Sequence, residues 1–286
     1  MTAIKRVGVV GCGLMGAGFA DICARAGLDV NVAVSSAASA ERDRDRMAAS
    51  YERMVRKGRI TEAERDRAQA LISFSDDLDS VGDCQFVLEA VGERLLDKLA
   101  VFGRLDRIVR DPDAVLATNT SAIPITKIGG ATADPGRVVG VHFFNPVPVM
   151  PLVELIGSLH TAQTTIDRAA EFVAGTLGKQ VIRCGDRPGF VVNALLIPYL
   201  LAAVRMLESG AASAEEIDQG MTLGCGHPMG PLALTDLIGL DTVAAIGEAM
   251  YEEMKQPLYA PPPLLSRMVD GGLIGKKSGR GFYDYR

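Results

Sequence analysis

The chain has 286 residues and a formal net charge of −5, and its 48% hydrophobic and 23% charged residues exclude a disordered protein and suffice for one long or two ordinary domains. No basic face is apparent, so we expect no nucleic-acid partner. The five cysteines are scattered and odd in number, without a CxxC pair, which argues against a disulfide framework or a metal site and indicates a reducing, cytoplasmic location.

In the first two thirds of the chain, short apolar strands alternate with helical patterns, as in a parallel sheet covered by helices. The predicted strands are residues 4–10, 29–34, 86–91, 114–118, 138–143, 152–156 and 180–183. The first of them begins without a preceding secretory signal pattern. The sequence therefore predicts an α/β domain.

A glycine-rich turn directly follows the first strand. Its residues are Gly11, Cys12, Gly13, Leu14, Met15 and Gly16, and a helical pattern continues to Ala26. The first glycine permits a tight turn, the second lets the backbone approach a pyrophosphate, and the third allows close helix packing. The helix N-terminus adds N–H donors for an anion. This strand-turn-helix sequence predicts a dinucleotide site.

A charged segment lies between the second strand and Ile72 and is broken at Gly58. It predicts a helical hairpin that stands off the sheet, with Thr61 and Glu64 as a capping box for the second arm. A solvated charged face is the simpler interpretation of this hairpin, and a polar arm over a ligand is the alternative.

Polar residues follow two later strands of the sheet. Ser121 comes shortly after one strand and His142 lies at the end of the next, so both are predicted at the carboxyl edge, where the glycine turn also lies. Glu154 follows a Pro-rich turn that could fold it back onto the imidazole and fix its tautomer. We expect Ser121 and His142 beside the nicotinamide half of a cofactor. We expect Ser121 to lack a base arranged to activate it, which disfavours an esterase.

The strand alternation stops after residues 186–189, and helical patterns follow at 190–207, 214–221, 231–254 and 263–270. This change predicts a first domain of residues 1–187 and a helical second domain of residues 188–286. The apolar stretch 188–204 is at the lower limit of length for a membrane span, and Asn193 and Pro198 interrupt it. We therefore predict a buried helix, part of which lies in a subunit interface.

Six segments together resemble the 3-hydroxyacyl-CoA dehydrogenase family, in particular its short 3-hydroxybutyryl-CoA members. They are GCGLMGAG, ATNTSAIPIT, GVHFFNPVPVMPLVEL, DRPGFVVNALLIPYL, GCGHPMGPLAL and GKKSGRGFYDY, and they run in unbroken order from about residue 4 to residue 286. The resemblance implies a Rossmann-type doubly wound sheet with an inserted helical hairpin, followed by an all-α domain that forms a homodimer. It also implies the interconversion of 3-hydroxyacyl-CoA and 3-ketoacyl-CoA with a nicotinamide cofactor, and we expect a preference for a four-carbon acyl group.

The resemblance also assigns residue roles. It implies that His142 is the catalytic histidine, that Glu154 orients it, and that Ser121 and Asn193 bind the substrate. Cofactor contacts are implied for the glycine turn and for Glu93, Lys98, Asn145 and Lys277. The hairpin residues Arg56 and Lys57 become candidates for the phosphates of coenzyme A.

The end of the second predicted strand departs from the family pattern. Family members place an Asp where Val34 stands, and that carboxylate accepts hydrogen bonds from the adenosine ribose. Its loss also removes a charge that repels the 2′-phosphate of NADP(H), which Ser35, Ser36 and Arg42 could bind. We therefore predict NADP(H), with NAD(H) as the alternative that the resemblance alone implies.

Two other functions stay open at this point. One is a β-hydroxyacid dehydrogenase that acts on free acids through a catalytic lysine, and the HFFNP segment argues against it. The other is a non-catalytic dinucleotide-binding relative, which the four catalytic residue types disfavour.

Overall fold

The computed structural model describes residues 3–286. The chain divides into two compact units after Asp186, one residue before the predicted boundary. The first unit is an α/β domain and the second is helical.

The first unit is built on one eight-stranded sheet. Its strands are β1 (Arg6–Val10), β2 (Asp29–Ala33), β3 (Ile72–Ser75), β4 (Phe86–Glu89), β5 (Val115–Thr118), β6 (Val138–Phe143), β7 (Leu152–Gly157) and β8 (Gln180–Gly185). Their order is β3-β2-β1-β4-β5-β6-β7-β8. The strand order reverses between β1 and β4, which makes the sheet doubly wound and opens a crevice at the carboxyl ends of these strands. The predicted Rossmann-type fold is confirmed.

Helices cover both faces of this sheet. They are α1 (Leu14–Arg25), α2 (Ala37–Arg56), α3 (Glu62–Ala70), α4 (Leu95–Ile108), α5 (Ile125–Gly129) and α6 (Gln163–Glu171), which continues as a π-helical turn at Phe172–Thr176. The central strands are fully buried and apolar except for polar residues near their carboxyl ends, as expected for a sheet covered on both sides. A tilted contact between Phe86 and Phe172, with ring centroids 4.6 Å apart, fixes the end of α6 against the sheet.

The predicted helical hairpin is present. Gly58 has φ +64° between α2 and α3, a left-handed conformation that glycine adopts without strain. Thr61 and Glu64 form the predicted capping box at the start of α3. Two features of the sheet were not predicted: the edge strand β3, and the antiparallel pairing of β7 with β6.

The second unit contains five helices around a separate apolar core. They are α7 (Val192–Glu208), α8 (Ala214–Cys225), α9 (Pro231–Ile238), α10 (Leu240–Met254) and α11 (Pro263–Asp270). The predicted single helix over 231–254 is wrong, because Gly239 adopts φ +104° and separates α9 from α10. Within residues 3–286, no helix has both the length and the apolarity needed to cross a membrane.

Buried carboxylates organise the helical unit. The carboxylate of Asp236 is fully buried and accepts hydrogen bonds from the backbone N–H groups of Phe282 and Tyr283 (both 2.9 Å) and from the Tyr285 hydroxyl (3.0 Å). A Cβ on Gly281 would lie only 1.9 Å from the carboxylate. These bonds hold the C-terminal tail against α9.

Candidate active site

The glycine turn has the backbone geometry of a dinucleotide-binding loop. Gly11 has φ +92°, and a Cβ on Gly16 would lie 2.0 Å from the Gly11 carbonyl oxygen, so neither position accepts a side chain. No atom lies within 4 Å of where a Cβ on Gly13 would be, which leaves this backbone open to a ligand. Because α1 starts at Leu14 and has no side-chain cap, its first N–H groups are suited to an anion. The turn therefore fits a dinucleotide pyrophosphate.

A cavity of about 560 Å³ adjoins this turn. The residues that line it come from the glycine turn, the end of β2, the first half of α2 and the loop after β4, and they include Gly11, Cys12, Gly13, Val34, Ser35, Ser39, Arg42, Asp43, Arg46 and Gly92. Val34, Ser35 and Arg42 thus line one cavity beside the glycine turn, and their contact with the adenosine half of the cofactor stays a prediction. The hydroxyl of Ser36 instead caps α2 by accepting the Ser39 backbone N–H at 3.2 Å.

Sequence reasoning missed Arg46 and Asp43 in this cavity. The Arg46 guanidinium donates to the carbonyl oxygen of Cys12 in the glycine turn. The buried Asp43 carboxylate lies 3.4 Å from Arg42 Nε and 3.3 Å from Arg46 Nη2. The signal for Arg46 was its spacing of four residues from Arg42 on one helix, which puts both on the same face.

Cys12 is not a nucleophile in this loop. Burial, together with the nearby Asp43 carboxylate, raises the pKa of the Cys12 thiol to about 11. The thiol therefore stays protonated at neutral pH, and its place in the turn is that of a small apolar residue.

His142 and Glu154 form a buried pair because β6 and β7 are antiparallel. The register places the two residues directly opposite each other, and His142 Nδ1 lies 2.7 Å from Glu154 Oε2. A carboxylate accepts hydrogen bonds and does not donate, so Nδ1 carries the proton. This tautomer leaves Nε2 as the proton acceptor of the ring.

Ser121 faces that nitrogen. Its Oγ lies 3.2 Å from His142 Nε2, which completes a Ser121–His142–Glu154 chain. The expectation that Ser121 has no base beside it is wrong, because a turn after β5 brings the hydroxyl to the imidazole. The chain can exchange a proton with an alcohol that hydrogen-bonds to Nε2.

Glu93 is bound to the turn that holds Ser121. Its Oε1 accepts the backbone N–H groups of Ser121 (2.9 Å) and Ala122 (3.3 Å) and the hydroxyl of Thr120. Lys98 is only 1% exposed, and its ammonium lies 2.8 Å from Glu89 and 3.4 Å from Glu93. Lys98 is therefore part of a buried ion-pair cluster.

The other predicted site residues are distributed over the α/β unit and the helical unit. Asn145 follows β6 and precedes Pro146, whose peptide bond is cis. Arg56 ends α2 and Lys57 follows it. In the helical unit, Asn193 is the second residue of α7, and the ammonium of Lys277 pairs with Asp241 at 2.6 Å. The roles assigned to these five residues stay predictions.

The doubly wound sheet, its glycine turn and the histidine–glutamate pair at its carboxyl edge define the class of dinucleotide-binding oxidoreductases. Residues 6–187 match the NAD-binding domain of 3-hydroxyacyl-CoA dehydrogenase, and residues 189–285 match the C-terminal domain of the same enzymes. The chain belongs to the 3-hydroxyacyl-CoA dehydrogenase family, as its sequence motifs predicted.

Relatives match over the whole length. A Mycobacterium tuberculosis 3-hydroxybutyryl-CoA dehydrogenase is 56% identical over 283 residues, which is 99% of each chain. The crystal structure of M. tuberculosis FadB2 superposes with a TM-score of 0.97 at 55% identity and covers 100% of both chains. The (S)-3-hydroxybutyryl-CoA dehydrogenase PaaH1 from Ralstonia eutropha gives a TM-score of 0.92 at 44% identity, over 99% of this chain and 100% of that one.

Proposed function

We propose that this protein is a dehydrogenase that interconverts 3-hydroxybutyryl-CoA and acetoacetyl-CoA with a nicotinamide cofactor. The observation that carries the proposal is the Ser121–His142–Glu154 chain at the carboxyl edge of a sheet whose glycine turn fits a dinucleotide. The family and the printed names of full-length relatives support the substrate class.

The residues of the chain supply the proton chemistry. A bound nicotinamide supplies the acceptor or donor of the hydride. In oxidation, His142 Nε2 takes the proton of the 3-hydroxyl group, and Glu154 stabilises the imidazolium that forms. In reduction, the imidazolium returns that proton. When the 3-hydroxyl group of the substrate takes the place at Nε2, the Ser121 hydroxyl donates its single hydrogen bond to the reacting oxygen instead, and Asn193 is proposed as a second donor.

Acyl hydrolysis is the second candidate, because Ser121, His142 and Glu154 are connected as in a hydrolytic triad. A hydrolase needs hydrogen-bond donors beside the serine, commonly backbone N–H groups, to stabilise an oxyanion. Here the N–H groups of Ser121 and Ala122 are bound to the Glu93 carboxylate, whose negative charge opposes an oxyanion at that place. The geometry therefore favours proton transfer over acyl transfer.

We further propose that the cofactor is NADP(H) in preference to NAD(H). No carboxylate stands at Val34, directly after β2, and the adjoining cavity is lined by Asp43, Asp76 and Arg104 and also by Arg42 and Arg46. The guanidinium groups of Arg42 and Arg46 can bind a 2′-phosphate. Asp43 lies between them and offsets part of their charge, so the cavity is not strongly cationic.

Four further assignments are proposals of the same kind. Arg56 and Lys57 at the end of the hairpin bind phosphates of coenzyme A, and Asn145 and Lys277 contact the cofactor. The protein forms a homodimer through its helical unit. Its five unpaired cysteines fit a reducing, cytoplasmic location.

The test of the function is turnover of the purified protein with acetoacetyl-CoA and each reduced cofactor, followed by nicotinamide absorbance. We expect reduction of acetoacetyl-CoA that His142→Ala lowers by on the order of 10²–10⁴-fold. Free 3-hydroxyisobutyrate should give no comparable rate. Release of free coenzyme A from the substrate without cofactor oxidation would support the hydrolase instead, and the absence of any turnover would refute both.

The cofactor proposal is tested by Val34→Asp, with Val34→Asn as the matched neutral control. We expect the wild type to have the higher kcat/KM with NADPH, and the aspartate variant to shift the ratio toward NADH by about tenfold or more through repulsion of the 2′-phosphate. The asparagine variant should shift it less. A wild type that prefers NADH would contradict the proposal.

A further inference from the structure

We propose that Glu93 is a positioning residue, which acts by holding the turn of Ser121 so that the serine hydroxyl meets His142. This inference rests on the proposed function, because it assumes that Ser121 binds the reacting oxygen. It differs from the role that the family resemblance implies for Glu93, which is contact with the cofactor.

Three donors of one turn converge on a single carboxylate oxygen. Glu93 Oε1 accepts the Thr120 hydroxyl, the Ser121 N–H at 2.9 Å and the Ala122 N–H at 3.3 Å. Thr120 Oγ1 in turn accepts the N–H of Ile123 at 3.0 Å. Residues 119–123 form no helix or strand, so these bonds replace the regular backbone pairing that would otherwise fix Ser121.

The position of Glu93 is itself fixed by a buried ion-pair cluster around Lys98. The buried ammonium of Lys98 lies 3.4 Å from Glu93 Oε2 and is also bound to both carboxylate oxygens of Glu89, at 2.8 and 3.0 Å. Glu89 is the last residue of β4 and accepts the Thr118 hydroxyl of β5 at 2.7 Å. Charge and hydrogen bonds therefore connect the ends of two central strands to Glu93, and Glu93 to Ser121.

The hydrogen bonds between Glu93 and the turn of Ser121 matter because the Ser121–His142 hydrogen bond is already long. At 3.2 Å it is at the long end of the range for this kind of bond. A small shift of the turn would take the hydroxyl out of reach of Nε2, and misplacement of about 1 Å is enough to lower rates strongly. The side chain of Glu93 is 44% exposed, so its replacement leaves no buried cavity.

The experiment uses Glu93→Ala, Ser121→Ala and the double variant, with Glu93→Gln as the conservative replacement and Glu171→Ala, an exposed carboxylate at the end of α6, as the control. We expect Glu93→Ala to lower kcat about as much as Ser121→Ala, on the order of 100-fold. The double variant should be no slower than the slower single variant. Glu93→Gln should retain part of the rate, because its amide oxygen still accepts N–H bonds.

Two further readouts separate positioning from cofactor contact. The dissociation constant of the reduced cofactor, measured by fluorescence titration, should stay within about twofold of the wild-type value in Glu93→Ala. In the cofactor-free protein, ¹⁵N spectra of the three histidines should show the Nε2 resonance of His142 moving to the same position in Glu93→Ala and in Ser121→Ala.

An unchanged His142 resonance, or rate losses that multiply in the double variant, would overturn the inference. So would a weakened cofactor dissociation constant with kcat intact, which would assign Glu93 to the cofactor. A wild type that does not turn over acetoacetyl-CoA would refute the proposed function alone, because the histidine spectra test the position of Ser121 without any substrate.

Discussion

At the scale of single residues, the function depends on which ring nitrogen of His142 accepts the proton. Glu154 is fully buried and its only neutral replacement of equal size is glutamine. A glutamine can turn its amide nitrogen toward Nδ1, which would force the proton onto Nε2 and remove the base. It also lacks the charge that stabilises the imidazolium.

We therefore expect Glu154→Gln to lower kcat by about 10²-fold or more while the KM for the acyl-CoA changes little. Steady-state kinetics with saturating cofactor measure both. As a control, Glu171→Gln should behave as the wild type. A large rise in KM with kcat unchanged would show instead that Glu154 acts in binding.

A second residue-scale prediction concerns Asp21 on α1. Burial raises the pKa of its carboxyl group, against the opposing effects of Tyr51 and of Arg25, whose Nη1 lies 3.6 Å away. A raised pKa means that the folded state holds the proton more tightly than the unfolded state. The stability that this group contributes is present below the ordinary carboxyl pKa and is lost as the pH rises through the raised value.

Asp21→Asn keeps the size and cannot ionise. We expect its free energy of unfolding, relative to the wild type, to increase as the pH is raised from about 4 to about 7. Urea unfolding followed by far-ultraviolet circular dichroism gives this difference. If the difference in unfolding free energy between Asp21→Asn and the wild type is the same at every pH, the pKa of the Asp21 carboxyl group is not raised by folding.

At the scale of elements, hydrophobic pattern predicted the buried strands well and the pairings poorly. The runs in β5 and β6 are apolar and short, so they were found from composition alone. The edge strand β3, Ile-Ser-Phe-Ser, is four residues long and half polar, and nothing local separates it from a loop. The helix break at Gly239 comes from its positive φ of +104°, and a Cβ there would also lie 2.8 Å from Nζ of the tail residue Lys277.

In the candidate site too, the positions of residues along the chain were predicted and the pairing of their strands was not. Ser121 was predicted because it follows a strand, His142 because it lies at the end of the next strand, and Glu154 because a Pro-rich turn precedes it. That β7 runs antiparallel to β6, and thereby pairs His142 with Glu154, is a matter of register that sequence spacing did not settle. The contact of Arg46 with Cys12 depends on how α2 lies over the glycine turn, which is a tertiary result.

At the scale of elements, we predict that the buried Asp236 carboxylate stabilises the helical unit by binding the C-terminal tail. Asp236→Ala would remove the buried acceptor of three part-buried donors in Phe282, Tyr283 and Tyr285, and we expect a loss of about 3 kcal/mol in the stability of the helical unit. All tyrosines except Tyr51 lie in that unit, so tyrosine fluorescence reports its unfolding.

The matched control is Asp284→Ala in the same tail, where the exposed carboxylate pairs with Arg286. It should leave the unfolding midpoint almost unchanged, since exposed pairs contribute little. Equal effects of the two replacements would show that the buried Asp236 does not hold the tail.

At the scale of the whole molecule, the helical unit exposes large apolar side chains beside an apolar cavity. Leu195 of α7 is 74% exposed and Leu223 of α8 is 84% exposed. An apolar cavity of about 630 Å³ lies beside Leu195 and is lined also by Tyr199, Met229 and Leu234. Contiguous apolar surface of this kind marks interaction sites, and it agrees with the expectation that part of α7 lies in a subunit interface.

We expect the protein to be a homodimer at micromolar concentration and Leu195→Glu to shift it toward monomer, because a charge would be buried at the interface. Light scattering coupled to gel filtration measures the mass directly. Leu159, which is 86% exposed in the α/β unit, provides the control, and Leu159→Glu should leave the dimer intact. A monomeric wild type would contradict the proposal. Dissociation by Leu159→Glu with no effect of Leu195→Glu would move the interface to the α/β unit, and it would leave the exposed leucines of α7 and α8 without an explanation.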